Sequence, residues 1–232
     1  MFSLTENYKE LVSQIKQFCK DSGRESTEVT LLAVSKTRSA DEIRQAYHQG
    51  LCCFGENYVQ EAREKMLELS DLPIEWHFIG PIQSNKTRQI AESVSWVHSV
   101  DRLKIAKRLS EQRPANLPVL NICLQVNIDD EQNKSGCHPD EALKLARDIA
   151  KLPNLRLRGL MAIPAPTSDP VKQRQAFKAV AALSEKLKDA GIALDTLSMG
   201  MSSDLESAIA EGSTLVRVGT ALFGERPAKS VE

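Results

Sequence analysis

Short apolar runs and helical patterns alternate eight times along this chain, and this alternation is the feature that most restricts its fold. Buried strands are predicted at Val29–Ser35, Cys52–Gly55, Glu75–Gly80, Trp96–Val100, Val119–Asn127, Leu155–Ile163, Thr196–Met199 and Leu215–Val218. Helical segments separate them, as parallel neighbouring strands require. Eight such units in 232 residues predict an α/β fold, a single (β/α)8 barrel of the TIM type.

An extra amphipathic helix is predicted before the first strand, over Met1–Lys20. An open doubly wound sheet would also alternate strands and helices. No G-x-G-x-x-G follows the first predicted strand, which counts against the dinucleotide-binding form of that fold. Asp101 is predicted to be the N-cap of the helix that runs through Gln112. No linker or low-complexity stretch interrupts the pattern, so we expect one domain over residues 1–232.

The composition is that of a soluble globular protein, with 41% apolar and 26% charged residues. A net charge of −1 gives no general attraction to nucleic acid or to an acidic membrane surface, and no apolar stretch is long enough to span a bilayer. Charges near the N-terminus interrupt the apolar run that a signal peptide needs, so a cytoplasmic location is expected. The five cysteines include no C-x-x-C pair and the four histidines are scattered, which predicts reduced thiols and no metal site.

Lys36 stands where the first predicted strand gives way to a loop. Desolvation at such a position disfavours the charged ammonium and lowers its pKa. A neutral amine is a nucleophile that can form a Schiff base with a carbonyl compound or with pyridoxal phosphate (PLP). The same position also suits a structural lysine whose ammonium reaches into water, so its position alone leaves both interpretations open.

The loops after the last two predicted strands carry groups that suit an anion. Ser202 and Ser203 precede a short predicted helix, which Ser203 and Glu206 would open as a capping box. Gly219 and Thr220 follow the eighth strand, and barrels of this kind frequently bind phosphate after strands seven and eight. Helix capping and a tight turn explain the same residues without any ligand.

Arg217 lies between two apolar residues near the end of the eighth strand. A buried arginine needs a partner. That partner could be a carboxylate such as Glu56 or Asp204, or instead a phosphate or ring nitrogen of a ligand. Lys134, on the loop after the fifth strand, is a second candidate amine.

Six stretches, taken in order, closely resemble the pyridoxal phosphate homeostasis protein family. Together they cover motifs along essentially the whole chain: Leu32–Thr37, Phe54–Glu61, Trp76–Lys86, Gly159–Ile163, Leu197–Asp204 and Val216–Gly224. The resemblance implies a fold similar to the barrel domain of alanine racemase and PLP held as a Schiff base on Lys36. It also implies the following cofactor contacts: the phosphate on Ser202, Gly219 and Thr220, the pyridine nitrogen facing Arg217, Asn57 near the ring, and His77, Met161 and Ser198 as pocket lining.

The resemblance also bears on activity. A permanently charged Arg217 would keep the pyridine nitrogen unprotonated, which makes the ring a poorer electron sink. The related racemases use a tyrosine from an added β-domain as a second acid or base. We expect no such domain, because the chain ends soon after the eighth strand, and Tyr8, Tyr47 and Tyr58 are not obviously placed for that role.

We therefore expect a PLP-binding protein of intracellular vitamin B6 homeostasis without strong catalytic activity. Two alternatives remain, namely a weak PLP-dependent amino-acid racemase and an aldolase that uses Lys36 without a cofactor. The expected partners are PLP and, for transfer assisted by Lys134, PLP-dependent apoenzymes. A monomer is expected, since the dimer surface of the racemases would be missing.

Overall fold

The computed structural model describes residues 3–129, 131 and 134–225. Within them eight parallel strands pair in chain order, and the eighth closes the barrel on the first. The strands are β1 Thr30–Val34, β2 Cys53–Glu56, β3 Glu75–Phe78, β4 Trp96–Val100, β5 Leu120–Val126, β6 Leu155–Ala162, β7 Thr196–Ser198 and β8 Leu215–Val218. The predicted barrel is confirmed, and the open sheet is wrong.

Helices connect the strands on the outside of the barrel. They are α1 Leu4–Asp21, α2 Ala40–His48, α3 Val59–Glu68, α4 Thr87–Ser93, α5 Leu103–Gln112, α6 Pro139–Ile149, α7 Pro170–Asp189, α8 Leu205–Ala210 and α9 Thr220–Phe223. The predicted extra N-terminal helix is α1, and it packs against α8 and α9. Along the described residues, none of the helices combines the length and the apolar character that crossing a membrane requires.

Local sequence explains where several helices begin. A reciprocal capping box between Ser3 and Glu6 opens α1, and Ser39 and Glu42 open α2 in the same way. The predicted N-cap role of Asp101 is wrong. The N-cap of α5 is Arg102, and the carboxylate of Asp101 instead accepts a hydrogen bond of 2.6 Å from the Arg102 guanidinium.

Most of the apolar core lies between the barrel and its helices. One face of α1 contributes Leu11, Ile15 and Cys19, all buried. Removing such side chains from water is the main favourable term in folding. By contrast, the barrel interior contains buried polar side chains, including His77, His98, Ser198 and Arg217. These residues lie below the mouth formed by the carboxyl ends of the strands.

The cysteines occupy different environments. Cys19, Cys123 and Cys137 are buried free thiols, in agreement with the prediction, but Cys52 is exposed and Cys53 is half-buried. The two adjacent Sγ atoms lie 3.7 Å apart. β2 begins only at Cys53, so the alternation of side chains along a strand does not extend to Cys52.

Candidate functional site

A cavity of about 410 Å³ opens at the carboxyl ends of the strands. It brings together six of the residues singled out in the sequence: Lys36, Asn57, Ser202, Arg217, Gly219 and Thr220. A larger groove of about 870 Å³ adjoins it between α1, α7 and α8 and shares Ser202 and Ser203. Neither Lys36 nor Arg217 lines that groove, so the smaller cavity is the candidate site.

Lys36 is half-buried in the cavity wall, directly after Ser35 at the end of β1. The segment is held from below by a second lysine, Lys65 on α3, which is buried. Its ammonium donates to the Ser35 carbonyl at 2.7 Å and to carboxylate oxygens of Glu56 at 2.8 Å and Glu61 at 2.6 Å. These bonds fix the backbone that carries Lys36.

Thr37, the next residue, has a positive φ of 65°. This is a costly conformation for a β-branched residue, and it persists only where the surroundings impose it. The amide of Thr37 donates to the same Glu61 oxygen at 2.5 Å. The turn that presents Lys36 is therefore strained and anchored to α3.

Glu56 is fully buried at the end of β2. One carboxylate oxygen accepts bonds from Lys65 and, at 2.7 Å, from the Ser35 hydroxyl, whereas the other has no partner among the described residues. Burial raises the pKa of Glu56, and the neighbouring Lys65 charge offsets only part of that rise. The suggested pairing of Glu56 with Arg217 is wrong, because Glu56 pairs with Lys65.

Arg217 is buried on β8 and forms part of the cavity floor. Its Nη1 donates to the Ser198 carbonyl at 2.5 Å and hydroxyl at 2.8 Å, and its Nη2 donates to the Ala162 carbonyl at 2.9 Å. No carboxylate of the described residues forms an ion pair with it, and Asp204 acts only by attraction at longer range. Burial lowers the pKa of Arg217 to about 10, so the guanidinium stays charged at neutral pH.

One wall of the cavity carries Ser202, Gly219 and Thr220. The Ala221 amide donates to the Ser202 hydroxyl at 3.4 Å, which connects the loops after β7 and β8. A Cβ on Gly219 would lie 3.3 Å from the Val34 carbonyl oxygen, so a larger residue would crowd the wall. The wall thus presents two hydroxyls and a backbone open to close approach.

The predicted capping box at α8 is wrong. This helix begins at Leu205 after Asp204, and Ser203 does not cap it. The Asp204 carboxylate accepts from the Met201 amide at 2.5 Å, while the Asp204 amide donates to the Met201 carbonyl at 3.1 Å. This closed turn uses Asp204 and delays the start of the helix.

Asn57 reaches the cavity from the loop after β2. Its side-chain carbonyl oxygen is buried and has no hydrogen-bond partner among the described residues. The backbone of Asn57 packs against Gly80, where any Cβ would overlap the Asn57 carbonyl group. A buried acceptor without a partner is costly, and this one belongs to a residue that lines the cavity.

Three predicted residues lie below the cavity rather than in its lining. Met161 packs against Trp96 and Cys123 inside the barrel. Ser198 contacts Arg217 from below, and the His77 ring stacks on Trp96 with centroids 5.4 Å apart. Lys134, which also does not line the cavity, pairs with Glu131 at 2.7 Å.

A chain of hydrogen bonds crosses the barrel interior from the cavity floor to its opposite end. From Arg217 it passes to Ser198 Oγ, then to His98 Nδ1 at 2.8 Å. His98 Nε2 contacts His77 Nδ1 at 2.9 Å, and His77 Nε2 contacts Glu75 Oε1 at 3.0 Å. His98 is the central residue of this chain, although no motif in the sequence pointed to it.

The direction of these bonds follows from the charge states. Burial lowers the pKa of both His77 and His98, so both rings are neutral, and the bond from His77 holds the pKa of Glu75 below its usual range. An ionised Glu75 accepts only, so His77 donates to it and accepts from His98, which in turn accepts from Ser198. In every bond of the chain the donor is then the residue nearer Arg217 and the acceptor is the residue nearer Glu75.

Comparison with known proteins places the chain in a family. The model of the alanine racemase N-terminal domain matches residues 7–227. A pyridoxal phosphate homeostasis protein of Pseudomonas aeruginosa is 59% identical over 226 residues, which are 97% of each chain. The chain belongs to the pyridoxal phosphate homeostasis protein family. The family resemblance of its motifs is thereby confirmed.

Solved structures agree with the barrel. PipY of Synechococcus elongatus PCC7942, solved with PLP bound, superposes with a TM-score of 0.85 at 37% identity, over 96% of this chain and all of that one. An alanine racemase of Clostridium difficile 630 superposes with a TM-score of 0.74 at 16% identity. That match covers 98% of this chain and 59% of the racemase, and it shows the shared fold alone.

Proposed function

We propose that this chain binds PLP as a Schiff base on Lys36 and serves intracellular PLP homeostasis without strong catalytic activity. The observation that carries the proposal is the shared cavity of Lys36, Arg217 and the wall of Ser202, Gly219 and Thr220. Lys36 would hold the cofactor through its side-chain nitrogen, whose C=N bond to the aldehyde carbon would release the aldehyde oxygen as water. The relatives' names and the PLP-bound PipY structure support the same ligand.

The residues present fit this cofactor. The hydroxyls of Ser202 and Thr220 and the open backbone at Gly219 suit its phosphate, as in other barrels after strands seven and eight. Asn57 lines the same cavity and its buried side-chain oxygen lacks a hydrogen-bond donor in the described structure, so a small movement of the side chain would let it accept a bond from a polar group of the ligand. Each of these residues remains a proposed contact.

Arg217 is proposed to face the pyridine nitrogen. PLP supplies an electron sink for carbanion chemistry, and this sink is strongest when the nitrogen is protonated. A protonated pyridine nitrogen needs a hydrogen-bond acceptor as its partner. The charged guanidinium, held by three hydrogen bonds, can only donate, so it favours the unprotonated nitrogen. The residue would thus bind the cofactor while limiting its reactivity.

The cavity also lacks a tyrosine that could serve as a second acid or base. Among the described lining residues there is none, and Tyr58, the nearest in sequence to Asn57, is 58% exposed on the surface. General acid–base catalysis requires a group within hydrogen-bond reach of the substrate proton. This supports a carrier over a racemase.

The visible absorption spectrum of the purified protein with added PLP tests the binding mode. We expect an absorption band of the Schiff base in the wild type and in the matched control Lys134→Ala, and its loss in Lys36→Ala. An unchanged band in Lys36→Ala would show that another amine holds the cofactor. No band in any of the three proteins would instead favour the aldolase alternative.

Turnover separates a carrier from an enzyme. The PLP-loaded protein should neither racemise nor decarboxylate common amino acids above the rate of free PLP, as followed by chiral chromatography. Robust racemisation abolished by Lys36→Ala would establish the weak racemase alternative. Transfer of PLP to a PLP-dependent apoenzyme, measured by the recovery of that enzyme's activity, would support a role in delivery. The location that we propose is the cytoplasm.

A further inference from the structure

A second cluster of chemically versatile side chains lies at the opposite end of the barrel from Lys36. In the pairing of β2 with β3, Cys53 lies beside Glu75 and Gly55 beside His77. Because side chains two apart share a face, Glu75 and His77 point the same way as Cys53.

Each of these three side chains offers one atom that could bind a metal ion, and the three atoms lie close together. Cys53 Sγ lies 3.6 Å from Glu75 Oε1, which lies 3.0 Å from His77 Nε2, and all three atoms are within 4.8 Å of one another. A tetrahedral zinc ion, with bonds of about 2.3 Å to sulfur and about 2.0 Å to nitrogen and oxygen, sets its ligand atoms roughly 3.3–3.6 Å apart. The separations of 3.6 Å and 3.0 Å lie within a few tenths of an ångström of these values, whereas Cys53 Sγ and His77 Nε2, which lie within 4.8 Å of each other, would have to move closer by up to about 1.3 Å.

We propose that Cys53, Glu75 and His77 form a binding site for a zinc ion, with water in the fourth position. One sulfur, one imidazole nitrogen and one carboxylate oxygen make a ligand set that zinc accepts, whereas magnesium and calcium prefer oxygen ligands alone. The exposed Cys52 thiol lies 3.7 Å from Cys53 Sγ and offers a second sulfur beside the cluster.

The surroundings of the cluster hold its ligands in place. The His77 ring is fully buried, stacks on Trp96 and is bonded through Nδ1 to His98. Such an outer bond fixes the orientation of a metal-binding imidazole. A cavity of about 430 Å³, lined by Glu75, His77 and Trp96 among others, gives an ion access from the surface.

Binding would release protons in a defined way. The Cys53 thiol gives its proton to solvent, because the ligand is the thiolate. His77 must present the lone pair of Nε2, so its proton moves to Nδ1 and the bond with His98 is then donated by His77. His98 shifts its own proton to Nδ1 and donates to Ser198. Zinc would thus reverse the bonds that link His77, His98 and Ser198, whereas Arg217 cannot accept and goes on donating to the Ser198 hydroxyl.

Equilibrium dialysis of the full-length protein against Zn²⁺ alone, after removal of metals by a chelator, tests the site. We expect about one zinc per chain in the wild type, and at least a tenfold weaker affinity in Cys53→Ser and in the isosteric Glu75→Gln. Cys19→Ala, at a buried thiol on α1, is the matched control and should bind as the wild type does. Far-ultraviolet circular dichroism confirms that each variant is folded.

Three results would overturn the proposal: no stoichiometric zinc in the wild type, equal affinity in a folded Cys53→Ser or Glu75→Gln variant, or an equal loss in Cys19→Ala. The readout does not involve PLP or Lys36, so its failure leaves the proposed function untouched. Conversely, loss of PLP binding would leave a zinc result intact.

Discussion

At the scale of single residues, Ser198 connects the cavity floor with the barrel interior. Its hydroxyl accepts from Arg217 and its position below the cavity places it next to His98. The family resemblance implies a pocket-lining role for Ser198, and that role remains a prediction. In the structure Ser198 lies below the cavity and orients the arginine, because it contributes both the carbonyl and the hydroxyl that the guanidinium contacts.

Replacing Ser198 by alanine should lower the free energy of unfolding by about 1–3 kcal/mol, since His98 and Arg217 each lose a buried partner. Urea denaturation of the PLP-free protein measures this change. Ser13→Ala, at an exposed position of α1, should stay within about 0.5 kcal/mol of the wild type. Equal effects of the two substitutions would contradict the role assigned to Ser198.

The raised pKa of Glu56 makes the free energy of unfolding depend on pH. Because burial raises its pKa in the folded state, the residue's contribution is fully present below the unfolded pKa and is lost as pH rises through the raised value. The stability of the wild type relative to Glu56→Gln should therefore fall as pH rises through that range. Urea denaturation at a series of pH values measures it.

The exposed Glu111→Gln variant controls for the loss of one charge and should show no such fall. A wild-type advantage over Glu56→Gln that grows with pH would mean that attraction by Lys65 outweighs burial.

At the scale of elements, β6 and β7 approach each other closely at Gly159. A Cβ there would overlap the carbonyl oxygen of Thr196 on β7. Gly159→Ala should thus cost about 3 kcal/mol or more, because backbone must move to relieve the overlap. At Gly55, by contrast, a Cβ would meet only the side chains of Leu32 and Ile79 at 3.2 Å, and Gly55→Ala should cost about 1 kcal/mol.

Denaturation midpoints of the two glycine variants provide the comparison. A smaller loss for Gly159→Ala than for Gly55→Ala would show that β6 and β7 are not packed as closely as described.

The sequence predicted the strands within one or two residues at each end, because buried parallel strands are short apolar runs. It failed at helix starts, where Asp101 and Ser203 had the right chemistry but the turns before α5 and α8 used other residues. Capping motifs are local, whereas the start of a helix also depends on how the preceding loop leaves the barrel.

The candidate site was predictable where residues follow a strand, as Lys36, Asn57 and Thr220 do. Within a strand the distance from the mouth decides the environment, so the sequence could not tell Arg217, which lines the cavity, from His77 and Ser198, which lie below it. The cluster of Cys53 and Glu75 was missed for another reason. Its members come from two strands in register, so no metal-binding spacing appears along the chain.

At the scale of the whole molecule, the described barrel closes on itself and α1 covers one side of it. A closed barrel has no sheet edge through which a second chain could extend the sheet. We therefore propose that the protein is a monomer, and its single-domain organisation over residues 1–232 remains a prediction.

Size-exclusion chromatography with light scattering should give a mass of 25.7 kDa, that of one chain. The mass should not change when PLP is added, because the cavity belongs to one barrel. A stable species of twice this mass would contradict the monomer.

Lys36 is proposed to hold PLP covalently. Borohydride reduction of the PLP-loaded protein, followed by proteolysis and mass spectrometry, tests it most directly, since reduction makes a Schiff base permanent. We predict that the peptide containing Lys36 carries the reduced pyridoxyl group in nearly every molecule, with Lys65 and Lys134 unmodified. A pyridoxyl group spread over several lysines, or absent from Lys36, would contradict the account.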